Sequence, residues 1–164
     1  MKPPTLRVQS ALSQLGLARA VVELTVEART SQQAADAVGV HVGQIAKSLV
    51  FTVDGAPVMV VASGVNRVDE RKLGTLAGGK VKRADAETVK RATGYTIGGV
   101  PPLAHDTALP IWIDEDLMHH DLIYAAAGVP ECVFPLTPDE LLRVTGGRIA
   151  DLKESKSSLK GEPA

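Results

Sequence analysis

Apolar side chains recur along this chain with two periods, and the switches between them mark out its elements. Leu6, Val8, Leu12, Leu15 and Leu17 fall at roughly helical spacing and stop near Gly16, which predicts a helix at about 5–15 ending on a left-handed glycine. Val22, Leu24 and Val26 then alternate with Glu23, Thr25 and Glu27, the period of a half-buried strand. Thr30 precedes an Ala-rich stretch, and Gln33 lies three residues on. At that spacing each side chain caps the other's backbone N–H, so a second helix runs on to Gly39. Residues 46–53 and 56–62 are apolar and β-branched and flank Asp54-Gly55, a pair that tolerates positive φ, which predicts a hairpin.

Further along, Asp69 and Asp85 each open a short helical pattern closed by a glycine, Gly78 and Gly94, with a strand at 80–84 between them. Residues 110–114, 121–126 and 131–136 read as three more strands. Thr137-Pro138-Asp139-Glu140 is a second capping box with proline in the first turn; Gly146 closes that helix and 148–152 is a last strand. Residues 153–164 carry too little apolar content to order themselves. The expectation is one domain over 1–152 with a flexible tail over 153–164. Seven or so short strands and four or five short helices, joined by a hairpin and helical crossovers, argue for an α+β fold: a single mixed domain with a curved, barrel-like sheet of about six or seven strands.

Composition restricts what such a domain can do. Eighteen Lys and Arg against 19 Asp and Glu leave a formal charge of −1 in 164 residues, which excludes a protein that coats nucleic acid through bulk positive charge. The charges are nevertheless segregated. Residues 67–91 hold eight cations (Arg67, Arg71, Lys72, Lys80, Lys82, Arg83, Lys90, Arg91) and four acids, whereas 105–140 hold eight acids and no Lys or Arg. Either these are ordinary solvated faces or the basic segment is a lip that steers a phosphate backbone. Only five residues are aromatic, so the core must be aliphatic and base-stacking platforms are not favoured. The single Cys132 excludes an internal disulfide and fits a reducing compartment; in an apolar strand, it reads as a buried structural thiol. The longest apolar run, 56–62, falls far short of the roughly 20 residues that span a bilayer, and Met1-Lys2-Pro3-Pro4 lacks a signal-peptide core. The expectation is a cytoplasmic protein with no membrane partner.

Two features stand out chemically. On a strand over 46–53, Lys47 shares a face with Leu49, Phe51 and Val53, an expensive place for an ammonium unless it reaches water, an anion or a site. It either snorkels out at the rim of the strand or serves a site. Gly94-Tyr95-Thr96-Ile97-Gly98-Gly99-Val100-Pro101-Pro102 combines glycines that allow close backbone approach to a ligand with stiffening prolines, yet it is neither a phosphate-binding Gly-Lys-Ser/Thr loop nor a dinucleotide fingerprint. A helix stop and a tight turn would also explain it. His105, Asp106, Asp114, Glu115, Asp116, His119, His120 and Asp121 could compose a metal site on paper, but no spacing sets two imidazoles on one helix face, and the alternative is a solvated acidic turn. No Gly-x-Ser-x-Gly elbow marks a serine nucleophile.

Gln44-Ile45-Ala46-Lys47-Ser48-Leu49-Val50-Phe51 followed by the glycine loop resembles the YbaK/EbsC family, the prolyl-tRNA-synthetase-associated editing domains, over roughly residues 30–152. Ala34-Ala35 before Gly39, Ile113-Asp114, Tyr124-Ala125-Ala126-Ala127-Gly128 and Thr137-Pro138-Asp139-Glu140-Leu141-Leu142 support the likeness by their order. The resemblance implies a barrel-like mixed domain that hydrolyses the ester of mischarged aminoacyl-tRNA in trans, without cofactor or metal. Its implied partners are the acceptor end of aminoacyl-tRNA and, secondarily, a synthetase. By the same resemblance Lys47 matches the essential lysine, and Gly98, Gly99, Val100, Pro101 and Pro102 match the G-x-x-x-P loop. Asp114 matches a recurrent aspartate, and His105 a Gly-His variant of the EbsC-like branch. Pro101 stands where many relatives have Ser, and Ala104 where Gly is common; which amino acid is removed stays open. An activated ester needs its oxyanion stabilised more than it needs a protein nucleophile. The expectation is that the Lys47 ammonium and the N–H groups of Gly98 and Gly99 hold the carbonyl and terminal nucleotide, with water activated by the ribose 2′-hydroxyl or another substrate group. The alternatives are a non-catalytic module that binds an aminoacyl-tRNA end or a synthetase, and a metal-dependent hydrolase using His105, His119 and His120.

Overall fold

The structure, a computed structural model, describes residues 1–25 and 28–155. Helix α1 (Pro3–Gln14) begins two residues earlier than its apolar period suggests, because Pro3 and Pro4 occupy a first turn where a missing N–H is no loss. It buries Thr5, Val8 and Leu12 and leaves Leu6 and Leu15 about half exposed; Gly16 closes it at φ +75°. Strand β1 (Val22–Glu23) is shorter than expected, with Leu24 buried just beyond it, and the predicted continuation through Val26 and Glu27 lies outside the described residues. Helix α2 (Ser31–Val38) carries the expected capping box: Gln33 N–H donates to Thr30 Oγ1 at 3.1 Å, and Thr30 N–H to Gln33 Oε1 at 3.2 Å.

A 3₁₀ turn at Val42–Gln44 leads into β2 (Ile45–Val53), which pairs antiparallel with β3 (Ala56–Ser63). Asp54 and Gly55 both have positive φ, +49° and +86°, the two-residue turn whose twist matches the strands it joins. Then come α3 (Glu70–Ala77), β4 (Val81–Arg83), α4 (Ala86–Thr93), β5 (Ile111–Asp114), β6 (Ile123–Ala126), β7 (Cys132–Leu136), α5 (Pro138–Thr145) and β8 (Arg148–Ala150). Thr137 and Glu140 close the second capping box, and Pro138 takes the first helical position.

These eight strands form one mixed sheet in the order β1-β7-β6-β2-β3-β5-β8, with β4 also on β2. The sheet is open, and it has more strands than the six or seven expected. Its two faces follow the period of two. Ala46, Val50, Met59, Val61 and Ile113 pack into the main core with α1, α4 and α5, while Phe51, Val58, Val60, Ala62 and Trp112 form a second core with Leu73 of α3 and Leu152. Each fully buried Val or Ile there contributes about 1.5–3 kcal/mol, and β3 supplies such residues to both faces. Beyond Leu152, where a tail was expected to begin, Lys153 pairs with Val68 and Glu154 N–H donates to Arg67 C=O at 2.8 Å; residues 156–164 of that expected tail lie outside the described residues.

The pairing of β2 is divided. Its first residues, Ile45 and Ala46, pair parallel with Tyr124 and Ala125 of β6, and its last, Phe51 to Val53, pair antiparallel with β4 on the same edge. Between the two ladders the edge of β2 is unfilled. The backbone orientation says which groups face this slit. Ile45 C=O accepts from Gly64 on the β3 side, and Val50 C=O accepts from Ala84 on the β4 side, so even-numbered residues, Ser48 included, present their main-chain groups to it.

Candidate active site

The slit opens into a cavity of about 270 Å³. Lys47, Ser48, Leu49 and Val50 of β2 form one wall; Tyr124, Ala125 and Ala126 of β6 and Arg83 and Ala84 at the end of β4 bound its two ends. Ile97, Gly98 and Val100 of the glycine loop face them, and Thr30 and Ser31 at the start of α2 close the mouth. Small aliphatic side chains, Ala46, Val50, Val89, Val100 and Val133, make the deeper surface.

Lys47 stands, as its alternation requires, on the face of Phe51 and Leu49, and half-buried. It makes no ion pair among the described residues. Burial holds its ammonium below the ordinary lysine value; the nearby charges of Arg83 and Arg67 push the same way, and the Asp114 carboxylate pulls back upward. Partial burial leaves the ammonium poorly solvated, the condition under which it interacts most strongly with a developing anion.

The structure divides the rest of the predicted site. Gly98 lines the cavity at φ +98°, where a side chain would be strained, and Val100 lines it too. Gly99 does not: its N–H is used in a turn to Thr96 C=O at 3.0 Å, and its C=O accepts from Gly128 N–H at 2.9 Å. A Cβ there would lie 2.7 Å from Gly128 O and Val129 Cα, so Gly99 is required by the close passage of two backbones. Of the two N–H donors expected, that of Gly98 remains. Pro101 and Pro102 are buried behind the loop. His105 sits with Pro102 on a second cavity, beside α1 and α5, and its Nε2 lies 2.7 Å from Pro101 C=O. Since a carbonyl only accepts, Nε2 carries the proton. His105 thus holds the exit of the loop from the side opposite Lys47.

Asp114 is 1% exposed at the end of β5 and lies outside the cavity wall. Its carboxylate accepts from Ser63 N–H (3.0 Å), Asn66 Nδ2 (2.8 Å) and Asp116 N–H (2.9 Å), tying β3 to β5 and capping the 3₁₀ turn Glu115–His119. Asn66 and Lys153 in turn hold Asp116. Cys132 is buried, and burial pushes its thiol up, away from reactivity. Among the described residues no three His, Cys, Asp or Glu side chains gather as metal ligands.

Sequence reading alone missed Arg83 as a wall residue, along with Tyr124, Ala125 and the valines of the floor. Arg83 was visible in the basic segment and Tyr124 in its Tyr-Ala-Ala-Ala-Gly run, but nothing local shows that both strands flank β2. The composition of the whole wall is informative: Arg29, Lys47 and Arg83 supply positive charge, and no His, Asp or Glu lines it among the described residues. Such a wall can hold an anion or stabilise an oxyanion, and among the described residues it offers no imidazole or carboxylate as a general base.

The described residues thus form a cationic cavity that no His, Asp or Glu lines, set in the slit of a mixed sheet beside the glycine loop. Residues 25–144 match the model of the aminoacyl-tRNA editing domain family, and the chain belongs to that family. It is similar over 124 residues, at 36% identity, to protein YwhH of Bacillus subtilis (strain 168), covering 74% of this chain and 78% of that one. At 29% identity over 125 residues it is similar to the "Putative Cys-tRNA(Pro)/Cys-tRNA(Cys) deacylase EbsC" of Enterococcus faecalis (strain ATCC 700802 / V583), covering 75% and 76%. Among solved structures, a "putative trans-editing enzyme for prolyl tRNA synthetase" superposes with a TM-score of 0.91 at 46% identity, covering 94% of this chain and 99% of that one. No helix among the described residues is long and apolar enough to cross a membrane.

Proposed function

We propose that this protein is a trans-acting deacylase that hydrolyses the ester of mischarged aminoacyl-tRNA. The observation that carries the reading is the wall itself: a half-buried lysine with no ion-pair partner among the described residues, sharing with Gly98 a cavity that no described His, Asp or Glu lines. Ester hydrolysis at such a site needs water to attack the carbonyl carbon, an oxyanion to be held, and the ribose oxygen to leave. The Lys47 ammonium faces the oxyanion, with the Gly98 N–H as second donor. With no His, Asp or Glu in the wall among the described residues, the proton of the attacking water passes through a substrate group, the vicinal ribose hydroxyl or the α-amino group, to the ribose oxygen as the C–O bond breaks. The products are free amino acid and uncharged tRNA, and no cofactor enters the balance.

The floor of alanines and valines suits a small side chain, and the likeness to the E. faecalis protein makes a cysteinyl ester the first to test. The test is deacylation of charged tRNAs at sub-stoichiometric protein. Wild type should turn over, and Lys47→Ala should lose about 10²- to 10³-fold in rate, the effect of removing one oxyanion donor. Equal rates for the two would refute the assignment. Binding without turnover by wild type would instead make the domain a recognition module.

A further inference from the structure

The geometry points to Arg83 as the residue that binds the phosphodiester immediately 5′ of the substrate's terminal nucleoside, an inference that rests on the deacylase reading above. Arg83 of β4 lies directly opposite Phe51 of β2, so its side chain rises from the same face of the sheet as Phe51, Leu49 and Lys47. Its guanidinium sits over the Phe51 ring, Cζ 5.9 Å from the centroid, and lines the same cavity as Lys47. Arg7, Arg19, Arg67 and Arg91 each face a carboxylate. Arg83 has no such partner among the described residues, although it is exposed and free to seek one. Packing on an aromatic ring fixes the guanidinium while leaving its N–H edge available, the arrangement suited to two-pronged phosphate recognition.

Charge matching gives the ligand. The transition state of ester hydrolysis develops one negative charge, at the carbonyl, and Lys47 answers it. Arg83, a second cation in the same cavity without a carboxylate partner among the described residues, matches an anion that the reacting centre lacks but the substrate carries nearby, its last backbone phosphate. Arg83 is also well placed to act before chemistry, since it belongs to the basic segment 67–91 at the rim.

The test compares an acceptor-stem minihelix charged with cysteine against 3′-cysteinyl-adenosine, which lacks the phosphodiester. Arg83→Gln should lower kcat/KM on the minihelix about 10-fold, chiefly through KM. The preference for minihelix over nucleoside ester should collapse, and the salt dependence should become shallower by about 0.7 in log–log slope. Arg83→Lys should restore part of the loss. Equal loss on both substrates, or an intact preference and slope, overturns the proposal. If wild type hydrolyses neither ester, the deacylase reading fails, and binding of the uncharged minihelix decides Arg83 separately: weaker binding and a shallower salt slope in Arg83→Gln support it, unchanged values overturn it.

Discussion

His105 Nε2 donates to the carbonyl of Pro101 at 2.7 Å, so the glycine loop that lines the Lys47 cavity is held at its exit by a partly buried imidazole. Burial lowers the proton affinity of this ring; the Pro101 hydrogen bond opposes that, Arg7 adds to it and Asp106 opposes it, leaving a net shift below the usual 6.5. The unfolded chain therefore binds the proton more readily than the folded one. Stability from this group is complete above about pH 6.5 and declines as the pH falls below it. Urea midpoints between pH 7.5 and 5 should drop for wild type and flatten in His105→Gln; an unchanged slope in the variant would assign the pH dependence elsewhere.

Lys47 titrates in the opposite functional sense. On the proposed mechanism the ammonium is the active form, and its proton is lost more easily than that of a free lysine, so deacylation, corrected for spontaneous hydrolysis, should fall on the alkaline side at a pH below 10.5. Removing the like charge in Arg83→Gln should move this limb to higher pH. A limb that stays in place would mean that the two cations do not sense each other.

Asp114→Ala should destabilise the fold by about 3 kcal/mol, because three donors lose one buried carboxylate. Denaturant midpoints measure this. A full-strength fold with greatly raised KM would instead place Asp114 at the substrate.

The two loop glycines should respond differently to alanine. Gly99→Ala drives a Cβ into the backbone of Gly128 and Val129 and should lower stability by about 2–3 kcal/mol. Gly98→Ala meets nothing nearer than Pro130 Cγ at 3.5 Å and carries only the strain of its positive φ, about 1–2 kcal/mol. Denaturation of both variants checks the order; equal losses would contradict it.

Ala104 has φ +64°, and Tyr95 Oη donates to its carbonyl at 2.9 Å. Ala104→Gly relieves left-handed strain at some entropic cost in the unfolded chain, for a net gain of roughly 0.5–1 kcal/mol in thermal or urea unfolding. A loss of stability would show that the alanine methyl has a packing role.

Elements whose ends are decided locally could be read from the chain. Thr30 with Gln33 and Thr137 with Glu140 announce their helices, and Asp54-Gly55 announces the hairpin, because each device acts within four residues. Lys47 was legible as an ammonium on an apolar strand face. What stayed hidden depends on strand order. The alternation of β4 and β6 gives no hint that both reach one edge of β2, so the membership of Arg83 and Tyr124 in one cavity could not be derived. Nor could the separation of His105 and Asp114 from it. The glycine loop was ambiguous for a related reason: Gly98 serves the cavity and Gly99 serves the packing of two distant loops, and adjacency in sequence conceals that difference.

Two strands that approach one neighbour without meeting also dictate how this pocket can diverge. Its span along β2 is the interval from Ala46 to Phe51, set by where hydrogen-bonded ladders stop. A ladder can advance only by two residues at a time if inward and outward positions are to keep their places. Replacing Val50, Val89 or Val100 re-cuts the walls, while the aperture stays constant. On the deacylase reading, new preferences for the acyl group are thus reachable by single substitutions in the lining, over an opening that the backbone keeps to one length.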